Sequence, residues 1–242
     1  MKKVCIIIPC YNEAKNIAAT VKDVLSQNSS SFDFFPLVIN DCSVDETVKT
    51  ASEAGGTVID LPCNLGVGGA VQAGFKYALR NDFDYAVKFD GDGQHKAEYI
   101  ATLLEPLEND TADMVIGSRF CQEHDGFKST PTRMIGIKLF RYLNSFLTGQ
   151  TVTDNTSGFR AYNREALEFA SIHYPAFDYP EPEEVVLMLS NRFRLLEQFV
   201  EMQPRQGGES TINPMKSVYF MLKVVFAILM VAMRKAVREE QS

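Results

Sequence analysis

The residues whose types and spacing best suit chemistry are Asp90-Gly91-Asp92-Gly93-Gln94-His95. Two carboxylates two positions apart, with glycines that permit a tight turn, suit a hard divalent cation such as Mg2+ or Mn2+. A cation held there would bridge a diphosphate. Other polar residues follow short apolar runs at regular intervals: Pro9, Tyr11, Asn12 and Glu13 after residues 4–8, Asp41 after 36–39, and Ser118 and Arg119 after 113–116. Tyr11 has an aromatic edge and Asp41 can accept hydrogen bonds. Further along, Glu181, Glu183 and Glu184 follow Tyr179 and Pro180. A positioned carboxylate can take the proton from an attacking alcohol. The same three acids also suit the positive first turn of a helix.

The elements that must hold these residues are legible in the hydrophobic pattern. Short β-branched runs at 4–8, 36–39, 57–60, 85–89 and 113–116 alternate with helix-length amphipathic stretches at 13–27, from Ser43, at 66–79 and at 98–107. That rhythm predicts βαβ units around a mostly parallel sheet, an α/β fold of the Rossmann type. In such sheets ligands bind beyond the carboxyl ends of the strands, which is where the polar residues fall. Ser43 with Glu46 three residues on predicts a capping box at the second helix. Gly66, Gly68 and Gly69 open the third, where tight packing of strand and helix explains them better than phosphate contact. After a polar loop at 122–130 the alternation fades. Residues 134–147 and 183–190 read as helix, 158–162 as extended, and 195–201 as an edge strand.

The chain has 242 residues, 45% of them hydrophobic and 23% charged, enough for one domain with a sizeable core plus a short appendage. A net charge of -7 argues against nucleic acid as a partner. The imbalance is uneven, because the stretch from Met202 onward carries six basic residues against three acidic. Five cysteines without CxxC spacing indicate neither a disulfide framework nor a zinc site and fit a reducing, cytoplasmic compartment. The apolar run after Met1 is too short for the core of a signal peptide.

Four stretches together resemble glycosyltransferase family 2, with its GT-A fold: Pro9-Cys10-Tyr11-Asn12-Glu13, Asn40-Asp41-Cys42-Ser43-Val44-Asp45-Glu46-Thr47, Asp90 to His95, and Thr156-Ser157-Gly158-Phe159-Arg160. Within the family, Asn64 to Ala70 and Arg205 to Ser210 most resemble the branch of dolichol-phosphate mannose synthases and polyprenyl-phosphate or rhamnosyl-type transferases. The resemblance implies a nucleotide-diphospho-sugar donor, a lipid-linked or saccharide acceptor, a divalent metal (Mg2+ or Mn2+) and inversion at the transferred sugar, in glycan or cell-envelope synthesis. It implies that Pro9, Tyr11, Glu13, Ile39 and Asp41 line the nucleoside pocket, and that Asp90, Asp92 and Gln94 hold metal and diphosphate. Arg119 and Arg133 match arginines that face the leaving group or acceptor phosphate, Arg205 and Ser210 lie in a segment that could close over the donor, and Glu183, with Glu181 or Glu184 as alternatives, stands where family members that glycosylate hydroxyls place a general base. Two departures stand out: Thr211 replaces the lysine of the mannose synthases, and Asn40-Asp41-Cys42 stands where many relatives have Asp-Asp-Gly.

Two rival readings share parts of this pattern. A sugar-1-phosphate nucleotidyltransferase would want a glycine-rich loop ending in basic residues after the first strand, and Cys10-Tyr11-Asn12-Glu13 is nothing like it. A catalytically silent nucleotide-sugar-binding scaffold is opposed by the intact Asp90 and Asp92. Domain limits are therefore expected at 1–212 for the GT-A-like domain and 213–242 for a C-terminal amphipathic helix and tail. Residues 214–238 read as one helix with Lys216, Lys223 and Arg234 on a narrow face. Lys223 interrupts an apolar run already short of the roughly twenty residues a membrane span requires. The helix can lie in an anionic membrane surface, peripheral on the inner face of the cytoplasmic membrane, or pack on its own domain or as a homodimer seam.

Overall fold

The computed structural model describes residues 1–122, 131–175, 179–202 and 214–233, with backbone alone at 131–133, 135 and 214–220. Seven strands, β1 (Lys2–Cys10), β2 (Phe32–Asn40), β3 (Thr57–Asp60), β4 (Tyr85–Lys88), β5 (Met114–Ser118), β6 (Arg160–Tyr162) and β7 (Leu195–Phe199), form one sheet ordered β3-β2-β1-β4-β6-β5-β7. Every pairing is parallel except those of β6, which runs antiparallel between β4 and β5.

Burial on both faces explains the continuous apolar run of β1. Val4, Ile6 and Ile8 join one core with Ile17, Val21 and Val24 of α1 (Ile17–Ser26) and Ile100, Leu103 and Leu104 of α4 (Ile100–Glu108). Cys5 and Ile7 join the other, with Val71 and Phe75 of α3 (Gly66–Arg80) and Leu167 and Ala170 of α6 (Arg164–His173). Helix α3 lies so close to β1 that a Cβ on Gly74 would stand 2.4 Å from Ile7 Cγ2. A third cluster joins Phe140 of α5 (Pro131–Thr148), Val186 and Leu187 of α7 (Glu181–Ser190), and Val224, Ile228 and Val231 of α8 (Pro214–Ala232).

The expected parallel α/β sheet is present, and β7 is the edge strand anticipated at 195–201. One local expectation needs correction. The capping box at Ser43 and Glu46 does not form: α2 (Thr47–Glu53) starts later, and Ser43 Oγ instead accepts the Asn12 N–H at 2.9 Å. Helix α6 was not anticipated, although Asn163 caps it by accepting the Ala166 N–H at 2.9 Å. The extended stretch 158–162 becomes β6, a three-residue strand threaded into the sheet centre, a placement no local pattern encodes. The polar loop at 122–130 lies, beyond Gln122, outside the described residues.

Candidate active site

At the carboxyl ends of β1 and β2, two loops are tied together by side chains. Asn12, held at φ 57° where asparagine is tolerated, accepts the Val44 N–H through Oδ1 at 2.9 Å. Thr47 Oγ1 accepts the Glu13 N–H at 2.9 Å, and Asp45 accepts both the Ala14 N–H and the Thr47 hydroxyl. Tyr11, 52% exposed, sits on this rim with Pro9 and Glu13. Asp41 is buried: its Oδ1 accepts the Leu65 N–H at 2.7 Å, anchoring the glycine-rich turn that opens α3. Ile39 is not on the rim, since its side chain is wholly buried in the core that contains Val71, and it offers no surface to a base. The covering of β2 on both faces decides this, since a side chain at Ile39 is buried whichever way the strand points it.

Beyond β4, the Asp90 side chain is 36% exposed and its Oδ2 lies 2.9 Å from His95 Nε2. A carboxylate partner places the ring proton on Nε2, while Nδ1 is buried without a partner among the described residues. Phe89 and Phe159 pack against the imidazole. Burial pushes the Asp90 carboxyl up, but the His95 hydrogen bond and the charges of Lys88 and Arg119 outweigh it and hold the group well below the usual carboxylate range. Asp92 Oδ1 accepts the Gln94 N–H at 3.1 Å across the turn that Gly93 makes at φ 75°. A Cβ on Gly158 would stand 2.6 Å from Asp90 Oδ2, so this glycine is what leaves the carboxylate its space.

This donor set fits a hard cation. It combines an anionic, solvent-reaching carboxylate, a second carboxylate two residues on, and an amide oxygen within the same turn. Among the described residues no three His, Cys, Asp or Glu side chains converge on one point. A Mg2+- or Mn2+-type ion that takes one or two protein carboxylates and completes its shell with phosphate oxygens and water needs no such cage. An open depression of about 550 Å3 at the amino ends of β1 and β4, beside Lys2, Asp82 and Asp84, holds none of these groups.

Arg119 is not presented to solvent. Its Nε and one terminal nitrogen each donate to Asp154 at 2.6 Å, the latter also reaching Thr156 Oγ1 at 3.0 Å, and its side chain is 2% exposed. The bidentate pair turns Arg119 into a buried charge acting on Asp90 across the site. Arg133 lies in the first turn of α5 on described backbone only, and Arg205 and Ser210 lie outside the described residues.

Beneath the site lies a cluster of charges that sequence reasoning missed. Lys88 and Arg160 are direct cross-strand partners on β4 and β6, and neither is exposed. Like charges so placed repel, and α7 answers them. Glu181 takes Lys88, while Glu184 takes Arg160 at 2.7 Å and the Tyr162 hydroxyl at 2.8 Å. Tyr174 OH stands 3.4 Å from Lys88 Nζ. Burial pushes the Glu184 carboxyl up, with Arg160 and Lys88 opposing. Of the three acids considered as a base, Glu184 is thus sealed in and Glu181 committed, leaving Glu183, partly exposed on the same turn. The available signal was a lysine and an arginine inside otherwise apolar strands, a pattern that demands buried partners.

A profile described as glycosyl transferase family 2 matches residues 5–169. The chain belongs to that family. This family 2 transferase is 32% identical over 205 residues to the UDP-N-acetylglucosamine–dolichyl-phosphate N-acetylglucosaminyltransferase of Methanococcus voltae, covering 77% of this chain and 80% of the relative. It is 32% identical over 173 residues to the polyprenol monophosphomannose synthase of Mycolicibacterium smegmatis, covering 69% and 64%. Its fold is that of glucosyl-3-phosphoglycerate synthase from Mycobacterium tuberculosis, solved with Mn2+, UDP-glucose and phosphoglyceric acid. The TM-score is 0.74 at 16% identity, covering 96% of this chain and 80% of that one. The family 2 transferase therefore has the GT-A fold and is a glycosyltransferase.

Three substitutions test this geometry. Gly158→Ala should leave thermal unfolding cooperative yet abolish Mn2+-dependent nucleotide binding, measured by calorimetry, because the new methyl displaces the Asp90 carboxylate. Undiminished binding would show that Asp90 has slack. Lys88→Met should cost about 3–5 kcal/mol in urea unfolding by stranding Glu181. Adding Glu181→Leu should recover much of that loss, and a double variant no better than the single one would mean the pair is not the determinant.

Proposed function

We propose that this family 2 transferase moves a sugar from a nucleotide diphosphate to the phosphate of a polyprenyl-phosphate acceptor, with a divalent cation and inversion at the anomeric carbon. The observation carrying the proposal is the Asp90 carboxylate, kept anionic at the end of β4 with space left by Gly158. The activities of the two relatives support the acceptor class. On this reading Tyr11, Pro9 and Glu13 face the nucleoside, and Asp41 holds the turn beside it. Asp90, Asp92 and Gln94 would hold Mg2+ or Mn2+, which when bound offsets charge building on the departing nucleoside diphosphate. Arg119 contributes a fixed positive field from its seat on Asp154. Arg133, Arg205 and Ser210 are assigned to the diphosphate and the acceptor phosphate.

An acceptor phosphate oxygen forms its bond to the anomeric carbon from the face opposite the leaving group. The bond from that carbon to the β-phosphate oxygen breaks, and its electrons leave with the nucleoside diphosphate. The nucleophile is already an anion, so no proton has to be removed and positioning supplies most of the catalysis. That agrees with an acidic turn of α7 whose Glu181 and Glu184 face buried cations. A hydroxyl acceptor, such as a saccharide, is the second reading, favoured by the partial exposure of Glu183.

The test is a panel of nucleotide sugars with Mn2+ and a polyprenyl phosphate in detergent, scoring labelled lipid. One donor should be transferred, and EDTA or Asp92→Ala should abolish both transfer and Mn2+-dependent nucleotide binding. Transfer that persists under both treatments overturns the metal assignment, and binding without transfer would indicate a silent scaffold. Glu183→Gln separates the acceptors. Turnover should stay essentially unchanged with a phosphate acceptor, whereas a loss of roughly a hundredfold with donor binding intact would mark a hydroxyl acceptor and a catalytic base.

A further inference from the structure

Glu197 lies on the edge strand β7, where a charged side chain ordinarily does no more than keep the strand from pairing with another chain. This one is turned to a different use. Its carboxylate accepts three hydrogens from two consecutive residues beyond α5: the Thr153 N–H at 2.7 Å through Oε2, and the Thr153 hydroxyl at 2.7 Å with the Asp154 N–H at 2.8 Å through Oε1. An ionised acceptor makes these bonds stronger than neutral ones. The β5–β7 ladder fixes where they start, since Glu197 is the register partner of Ile116.

The same acid orders the end of β5. A carboxylate only accepts, so Thr153 spends its one hydroxyl hydrogen on Glu197 and must receive one from Ser118, whose Oγ stands 2.9 Å away. Ser118 Oγ in turn accepts the Phe120 N–H at 3.3 Å. Arg119 therefore has a neighbour on each side held by a chain of hydroxyls that ends on Glu197. Its guanidinium is held by Asp154, at 2.6 Å to each carboxylate oxygen, and Asp154 is the residue whose N–H Glu197 takes.

Such a pair needs precise placement. Arg119 and Asp154 are both buried, and two parallel bonds between planar groups tolerate little displacement. Asp154 lies on the connection from α5 to β6, and a side chain on a connection is placed less exactly than one on a strand unless something outside fixes it. The same connection reaches Asp90 through Gly158, which leaves that carboxylate its space.

We infer that Glu197 is a positioning residue for glycosyl transfer, building from the sheet edge the seat in which Asp154 holds Arg119. Its bearing on catalysis rests on the proposed function, which gives Arg119 a fixed field at the departing nucleoside diphosphate.

The test uses the full chain. The Nε–H of an arginine seated on a carboxylate exchanges slowly with solvent, and the Arg119 signal is the one missing from spectra of nitrogen-labelled Arg119→Lys. In Glu197→Ala, with neither metal nor donor present, its exchange should quicken by at least about tenfold. In transfer to a polyprenyl phosphate, kcat should fall by at least about tenfold while the donor KM and Mn2+-dependent nucleotide affinity stay within about twofold, because the Arg119 field is needed only as charge builds on the leaving group. Placed in the Arg119→Lys background, Glu197→Ala should cost less than about twofold more. Glu197→Gln, which keeps one acceptor oxygen, should show the exchange and kcat effects at reduced size, and it carries the test if thermal unfolding shows that Glu197→Ala does not fold. Unchanged exchange in the folded variants overturns the inference, as does a loss shared between kcat and nucleotide binding, or a full loss in the Arg119→Lys background. The exchange measurement decides even if no donor is transferred: a quickened signal in an inert chain would fault the proposed function and uphold the seat.

Discussion

Two cations face each other across the centre of the sheet with almost no water to share their charge, and much of the carboxyl end is arranged around them. Lys88 and Arg160 are unexposed neighbours on β4 and β6. Leaving either unpaired would cost several kcal/mol. The first turn of α7 supplies Glu181 and Glu184, three residues apart and so on one face of the helix. This sets the rotation of α7 about its own axis as well as its distance from the sheet. Packing alone would fix the second far better than the first.

The same charges reach the chemistry. Lys88 and Asp90 are two residues apart at the end of β4, and the lysine helps keep the carboxylate ionised. Arg119, folded back on Asp154, adds its field from the far side, and His95 holds one oxygen directly. A carboxylate surrounded in this way stays anionic through the ordinary pH range and remains a ready ligand for a hard cation. Gly158, 68 residues further along the sequence but adjacent in space, contributes only the absence of a methyl group. Rigidity around an open oxygen is what such a site requires, because the diphosphate, and not the protein, completes the shell.

At the carboxyl ends of β1 and β2 the design is different. Two loops hold each other by side-chain to backbone hydrogen bonds, Asn12 to Val44 and Thr47 to Glu13, with Asp41 fastening a third at Leu65. None of these bonds reaches the apolar cores, so the rim can be shaped independently of the sheet beneath. The third helical layer, α5, α7 and α8, is built on α7, which grips the buried cations on one side and seats the two outer helices on the other.

By itself the sequence determined the alternation of strands and helices through 118, the placement of polar residues at strand ends, and the carboxylate pair at Asp90 and Asp92. These depend on local periodicity and on residue type, which survive in one dimension. The family 2 resemblance rested on four such local stretches and agrees with the matched residues 5–169. Only the tertiary structure decided that Ile39 belongs to the core, that Arg119 is closed on Asp154, and that two of three candidate glutamates neutralise buried cations. It also placed β6 between β4 and β5 and seated Asn163 as the cap of α6. Each of these depends on what a side chain meets from a distant part of the chain. A carboxylate in a first turn reads alike whether solvent or a buried arginine lies opposite, and desolvation, which decides its chemistry, exists only once the chain has folded.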